Sequence, residues 1–189
     1  IHERLVGSEM CIRDRSLRII VMGVSGCGKS TLSQRLSETL HLRMKDGDEL
    51  HLPESVAKMS AGIALQDEDR WPWLDRIANY LQGAKAENET GGIVACSALK
   101  KIYRDRIRQQ AGPVVFLFLE GHPDLIRQRM QQRVGHYMQP GLLDSQLQTL
   151  EKPSPDETDV ITLSIDQPIA QIVQQALQAL KASAFSALP

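Results

Sequence analysis

Residues 23–30 read Gly-Val-Ser-Gly-Cys-Gly-Lys-Ser, and few stretches of eight residues restrict a fold as much. Glycines at 23, 26 and 28 let the chain turn tightly and aim its backbone N–H groups at one point, as an anion cradle needs. The stretch meets the pattern G-x-x-x-x-G-K-[ST] at each fixed position. In that pattern the lysine (Lys29) supplies charge to the β- and γ-phosphates of a nucleotide, and the hydroxyl (Ser30) is a ligand for Mg²⁺. The flanks agree. Residues 17–22, Leu-Arg-Ile-Ile-Val-Met, form a short apolar run rich in β-branched side chains, as a buried parallel strand does. Beyond the loop, Leu32, Leu36 and Leu40 recur at spacing four and predict a helix whose positive end faces the loop. A glycine-rich turn that binds nothing would leave the Lys-Ser pair and both flanks unexplained.

The rest of the chain sets the size of the fold. Its 189 residues suffice for one α/β domain with a sizeable core. The net charge of −1 offers no broad basic field, so nucleic acid is not an expected partner. No apolar stretch approaches the length of a membrane span, so a membrane is not expected either. Cys11, Cys27 and Cys96 are spaced for neither zinc nor a disulfide framework, and a reducing cytoplasm is the simplest compartment. Residues 1–16 are polar, mixed in charge and without a signal-peptide pattern. They read as a poorly packed, non-native-looking leader, with a single domain over residues 17–185.

Five strands are expected, at Arg18–Met22, Arg43–Lys45, Gly92–Cys96, Val114–Leu119 and Val160–Ile165. Helices are expected between them at Ser33–Leu40, Asp67–Glu87, Leu99–Gln110 and Pro123–Arg133, with a last one from Pro168 to Lys181. This alternation predicts a parallel sheet wrapped by helices. Ligands of such sheets bind outside the carboxyl ends of the strands, so residues just after each strand are the ones to read for chemistry.

Asp46-Gly47-Asp48 follows the second strand. Carboxylates two apart across a glycine can serve different neighbours, one a metal and one the hydroxyl that attacks a phosphate. Asp67-Glu-Asp-Arg70 precedes Trp71-Pro-Trp73. The acids suit a helix start, one tryptophan suits the core, and the Arg70 guanidinium has the fork to grip a carboxylate. After the third strand, Ser97 fits a helix cap, and Lys100 and Arg104 sit a turn apart on a face that either binds an anion or is simply solvated. Arg129 and Arg133 share a helix face leading to Gly135-His136, as in a lid over nucleotide phosphates, while Arg127 reads as surface. Met138, Leu142, Leu143 and Leu147 read as a core stripe. Asn-Lys-x-Asp, His-Arg-Asp and Asp-Phe-Gly are absent, which argues against GTPases and protein kinases.

Taken together these stretches resemble the gluconokinases, small phosphate-loop kinases related in fold to shikimate and nucleotide kinases. The resemblance runs from about Arg18 to Lys181. Besides the loop, it rests on Asp46-Gly-Asp-Glu-Leu-His51, Lys58-Met59, Gly62, Leu65-Gln-Asp-Glu-Asp-Arg70, Pro72-Trp-Leu74, Cys96-Ser-Ala-Leu-Lys-Lys-Ile-Tyr-Arg-Asp105, Leu143-Asp-Ser-Gln146 and Leu150-Glu151. It implies a three-layer α/β phosphate-loop kinase fold with a five-stranded parallel sheet and a small helical lid around residues 123–150. It implies ATP-dependent phosphorylation of D-gluconate, with Mg²⁺, in a cytoplasmic homodimer. On the nucleotide side it places Gly23, Ser25, Gly26, Cys27, Gly28, Lys29, Ser30 and Thr31, with Arg129 and Arg133 from the lid. Asp166-Gln-Pro168 falls where related kinases hold the base. Ser30 and Asp46 would hold the metal, Lys29 and Asp48 would be catalytic, and His51, Arg70, Lys100 and Arg104 would join Asp48 at the substrate. One departure stands out: the family reads His-Pro and then Asn before Lys-Met, where this chain has His51-Leu-Pro53 and Ser55. A kinase for shikimate or another aldonate is the nearest alternative, and a non-catalytic nucleotide-binding module a more distant one.

Overall fold

The computed structural model describes residues 17–83, 91–132 and 141–186, with side chains through 183. The expected leader lies outside the described residues.

Strand β1 (Leu17–Met22) is buried on both faces from Ile19 onward. Ile19 and Val21 pack with Leu32 and Leu36 of helix α1 (Lys29–Leu40) and with Ile172, Ala176 and Leu180 of the C-terminal helix α7 (Ile169–Ser186). Ile20 and Met22 point the other way, onto Trp73, Leu74 and Ile77 of α3 (Asp67–Gln82) and Tyr103 and Ile107 of α4 (Lys101–Ala111). A strand apolar on both faces is stable only inside a sheet covered on both sides, and each fully buried Leu or Ile contributes about 1.5–3 kcal/mol. The result is three layers with two cores.

The other strands are β2 (Met44–Asp46), β3 (Gly91–Ala95), β4 (Val115–Glu120) and β5 (Val160–Ser164). All pairings are parallel, in the order β2-β3-β1-β4-β5. Central β1 is therefore flanked by strands that follow it late in the chain, and its carboxyl end opens the crevice where such sheets bind ligands. The remaining helices are α2 (Pro53–Ser60), α5 (Pro123–Gln131) and α6 (Leu142–Thr149), with a 3-10 turn at Gly47–Leu50.

All five expected strands are present, with bounds shifted by at most a residue. The helices depart more. Helix α1 starts at Lys29 because Gly28, at φ +103°, makes the entry bend itself. Helix α4 starts at Lys101, and Ser97 is not its cap. Its free Lys101 N–H donates instead to Glu151 Oε2 at 2.6 Å. Helix α3 stops at Gln82, before Gly83. In the stripe read as core, Leu143 is buried and Leu147 packs against the core, but Leu142 is exposed and Met138 lies outside the described residues.

Candidate active site

The loop between β1 and α1 is open where an anion would sit. A Cβ on Gly28 would meet nothing within 4 Å, directly over the N-terminus of α1. Lys29 Nζ donates to the Val24 carbonyl at 3.0 Å, and the Ser25 N–H donates to Gln146 Oε1 at 2.6 Å. The Gly23 N–H donates to Ser97 O, tying the loop to the chain that leaves β3. Beside the loop lies a cavity of about 220 Å³ lined by Gly26, Cys27, Gly28, Thr31, Arg129 and Gln167. Leu119 and Ile172 give it apolar walls, which suits a base as well as a phosphate chain. Arg129 is held by Ile165 O at 2.7 Å, and Gln167 by Ser164 O at 2.9 Å. Burial pushes the Cys27 thiol up despite Lys29 and Arg129, so that side chain is an inert wall. Arg133 lies outside the described residues. Arg127 is exposed and paired with Asp124 and Asp144.

Across the crevice, the two acids diverge. Ser30 Oγ donates to Asp46 Oδ2 at 3.2 Å, and Asp46 Oδ1 accepts the Asp48 N–H at 3.1 Å. Asp46 thus fixes the turn that carries Asp48. The Asp48 carboxylate is exposed and makes no hydrogen bond or ion pair among the described residues. Gly47 is needed for a close approach, since a Cβ there would stand 2.7 Å from Ala95 O. His51 is buried and stacked on Trp73, with centroids 4.4 Å apart and planes 9° apart. Its Nδ1 is buried without a hydrogen-bond partner among the described residues, and burial lowers its pKa.

Arg70 makes no hydrogen bond or ion pair among the described residues. Its guanidinium lies 5.8 Å from the centre of the Tyr103 ring. Lys100 is already paired, to both oxygens of Asp67 at 2.8 and 3.0 Å, and Tyr103 donates to the same carboxylate. These donors hold the Asp67 carboxyl below its ordinary range. Cys96, just past β3, sits among the charges: burial pushes its thiol up to about 12, and Asp48, Lys29 and Arg70 all act on it. One acid and two cations far apart in sequence therefore converge at the end of β3.

Arg104 is a correction. It is fully buried, and each of its three guanidinium nitrogens is bonded, to Glu157 (2.7 and 2.6 Å) or to the carbonyls of Ala98, Leu99 and Glu151. With every nitrogen bonded and no exposure it braces the β3–α4 loop and is not placed to reach a substrate in the crevice. It also does not share a helix face with Lys100, which is still extended before α4 begins. Ser55 is buried too, its Oγ 3.5 Å from Asp69 O. The departure at Ser55 thus acts on the start of α3. Gln146 and Glu151 are two functional residues that the sequence does not single out. Gln146 lies within α6 and Glu151 two residues past its end, and neither position gives a local hint that one reaches the phosphate loop and the other caps α4.

A phosphate loop on the central strand, facing across one crevice a carboxylate and a guanidinium that have no ion-pair partner among the described residues, defines a phosphate-loop kinase acting on a small molecule. The family profile of shikimate kinase matches residues 25–181. The thermosensitive gluconokinase of Escherichia coli K12 is 45% identical over 163 residues, which span 86% of this chain and 87% of that protein. The structure of a gluconokinase from Sinorhizobium meliloti 1021 superposes with a TM-score of 0.81 at 41% identity, covering 90% of this chain and 95% of that one. Shikimate kinase from Bacteroides thetaiotaomicron, at 18% identity and TM-score 0.60, covers 87% of this chain and 98% of its own and shares the fold. The chain belongs to the gluconokinase family, within the wider shikimate-kinase-like group.

Proposed function

We propose that this protein transfers the γ-phosphoryl group of ATP to the 6-hydroxyl of D-gluconate, forming 6-phospho-D-gluconate and ADP. The observation that carries the reading is the Asp48 carboxylate, which has no partner among the described residues and is aimed by an Asp46 that is itself tied to the loop through Ser30. Asp48 accepts the proton of the attacking hydroxyl as the new O–P bond forms and the bond to the ADP oxygen breaks. Lys29 and the loop N–H groups stabilise the charge on the transferring group, and Arg129 and Arg133 shield the phosphates from water. Arg70 grips the gluconate carboxylate, and Lys100 and His51 face its hydroxyls.

Ser30 and Asp46 are a pair of oxygen donors facing each other, with no third carboxylate or imidazole grouped with them among the described residues. That set fits Mg²⁺, which takes one or two protein ligands and fills its shell with phosphate and water. When bound there, Mg²⁺ offsets phosphate charge. The buried free thiols Cys27 and Cys96 accord with a reducing compartment such as the cytoplasm. No described helix is long and apolar enough to cross a membrane. The homodimer and the lid over residues 123–150 come from the family resemblance, and light scattering of the purified chain tests the first.

The test is a coupled assay with ATP and gluconate. Turnover should be strong with gluconate and at least about tenfold lower in kcat/KM with shikimate or other aldonates. Lys29→Ala should lose at least about 100-fold in turnover with its melting temperature retained. Near-normal activity in that variant would sink the mechanism.

A further inference from the structure

The peptide group joining Val24 to Ser25 is held at both ends. Its carbonyl accepts from Lys29 Nζ at 3.0 Å and from the Cys27 N–H at 3.4 Å. Its N–H donates to Gln146 Oε1 at 2.6 Å, across 121 residues of chain. A peptide is planar, so its N–H and C=O point in fixed, opposite directions, and a group that aims one aims the other. Glycines at 23 and 26, both at positive φ, flank this peptide and leave its plane weakly determined by its own neighbours.

We propose that Gln146 is a positioning residue for phosphoryl transfer: by clamping the Val24–Ser25 N–H it fixes the carbonyl that orients the Lys29 ammonium. The inference rests on reading Lys29 as the phosphate-binding cation. Gln146 is itself well anchored. Leu143, one turn before it, is buried in the core, and Asp144 pairs with Arg127 at 2.7 Å. On its other side, Glu151 binds α4 and the chain just before it with three hydrogen bonds. Its N–H donates to Leu99 O at 2.9 Å, its carboxylate accepts the Lys101 N–H at 2.6 Å, and its carbonyl accepts from Arg104 at 3.1 Å. The carboxamide therefore presents a fixed acceptor, and a preset lysine spares the reaction a reorganisation step. This places Leu143, Asp144, Gln146 and Glu151 in one device: three anchors and a clamp.

The experiment compares Gln146→Met and Gln146→Leu, which keep bulk but lose the acceptor, with Gln146→Glu, which keeps an oxygen at the same reach. Wild-type turnover of gluconate is measured first; its absence would overturn the proposed function and not this inference. Given that turnover, the Met and Leu variants should lose about 10–100-fold in kcat. Their gluconate KM should stay within about twofold, because Gln146 acts on the nucleotide side. The Glu variant should recover kcat to within about threefold of wild type at saturating ATP, while its negative charge raises the KM for ATP. Unchanged kcat in a folded Met or Leu variant overturns the proposal. So does equal loss in all three variants, or a rise in gluconate KM alone.

Discussion

The Trp73 indole N–H donates to the Gly47 carbonyl at 2.7 Å inside the protein, and it is this bond that seats the acidic turn against the sheet. Trp73 comes from α3 and Gly47 from the turn after β2, and His51 lies flat on the same indole. The turn is thus pressed between α3 and the end of β3. Gly47→Ala would force a methyl to 2.7 Å from Ala95 O, which is backbone and cannot swing aside. The expected cost is about 1–3 kcal/mol in stability. Because Asp46 and Asp48 move together with it, kcat should fall at least about tenfold. Thermal melting and steady-state kinetics on one preparation check both, and an alanine variant with wild-type kcat would refute the close seating of the turn.

Asp48 separates catalysis from stability. Its carboxylate is exposed and has no partner to lose among the described residues. Asp48→Asn should therefore change unfolding free energy by no more than about 0.5 kcal/mol. Loss of the base should lower kcat by about 10²–10⁴-fold. Retained turnover in the asparagine variant would move the base elsewhere.

His51 should titrate below its ordinary value of 6.5, because burial disfavours the imidazolium. Arg70 adds to that depression and Asp48 opposes it. The unfolded chain then binds the proton more readily, so this group's contribution to stability is complete above pH 6.5 and declines as pH falls below it. NMR of the His51 ring should give a midpoint under 6.5. Asp48→Asn should lower that midpoint further and Arg70→Gln should raise it. Opposite movements would mean that these side chains do not share one site.

Arg104 and Glu157 form a buried, two-toothed pair, and the Glu157 carboxyl is held down to about 2 from 4.5, chiefly by its hydrogen bonds to Arg104. A carboxyl depressed in the folded state stabilises it fully above pH 4.5, and that stability drains away as pH falls from 4.5 toward 2. Glu157→Gln should leave a buried guanidinium without its counter-charge and cost about 3–5 kcal/mol. It should also flatten the acid limb of the stability curve in that window. The gluconate KM of any folded fraction should be unchanged. A selective rise in KM would return Arg104 to the substrate side.

The nucleotide half of the site was legible in the sequence because its geometry is local. Eight consecutive residues carry the bend, the amides, the lysine and the hydroxyl, and a β-branched run and a spacing of four supply their strand and helix. Helix α2 also carried a signal, Pro53 at its first turn, that periodicity over eight residues was too short to reinforce. The acceptor half was legible in residue types but not in their states. Arg70 and Arg104 are both arginines near a helix start, and nothing within a few positions of either distinguishes them. What does is Glu157, 53 residues beyond Arg104, which neutralises one guanidinium in the core and leaves the other for the crevice. Likewise the clamp on the phosphate loop comes from Gln146, 121 residues from its partner. The sequence alone determined the loop, the strand count and the chemistry on offer, because those depend on short-range backbone geometry and hydrophobic period. Only the tertiary structure decided which charges are spent on stability and which stay free, because that depends on burial and on partners that chain order does not bring near.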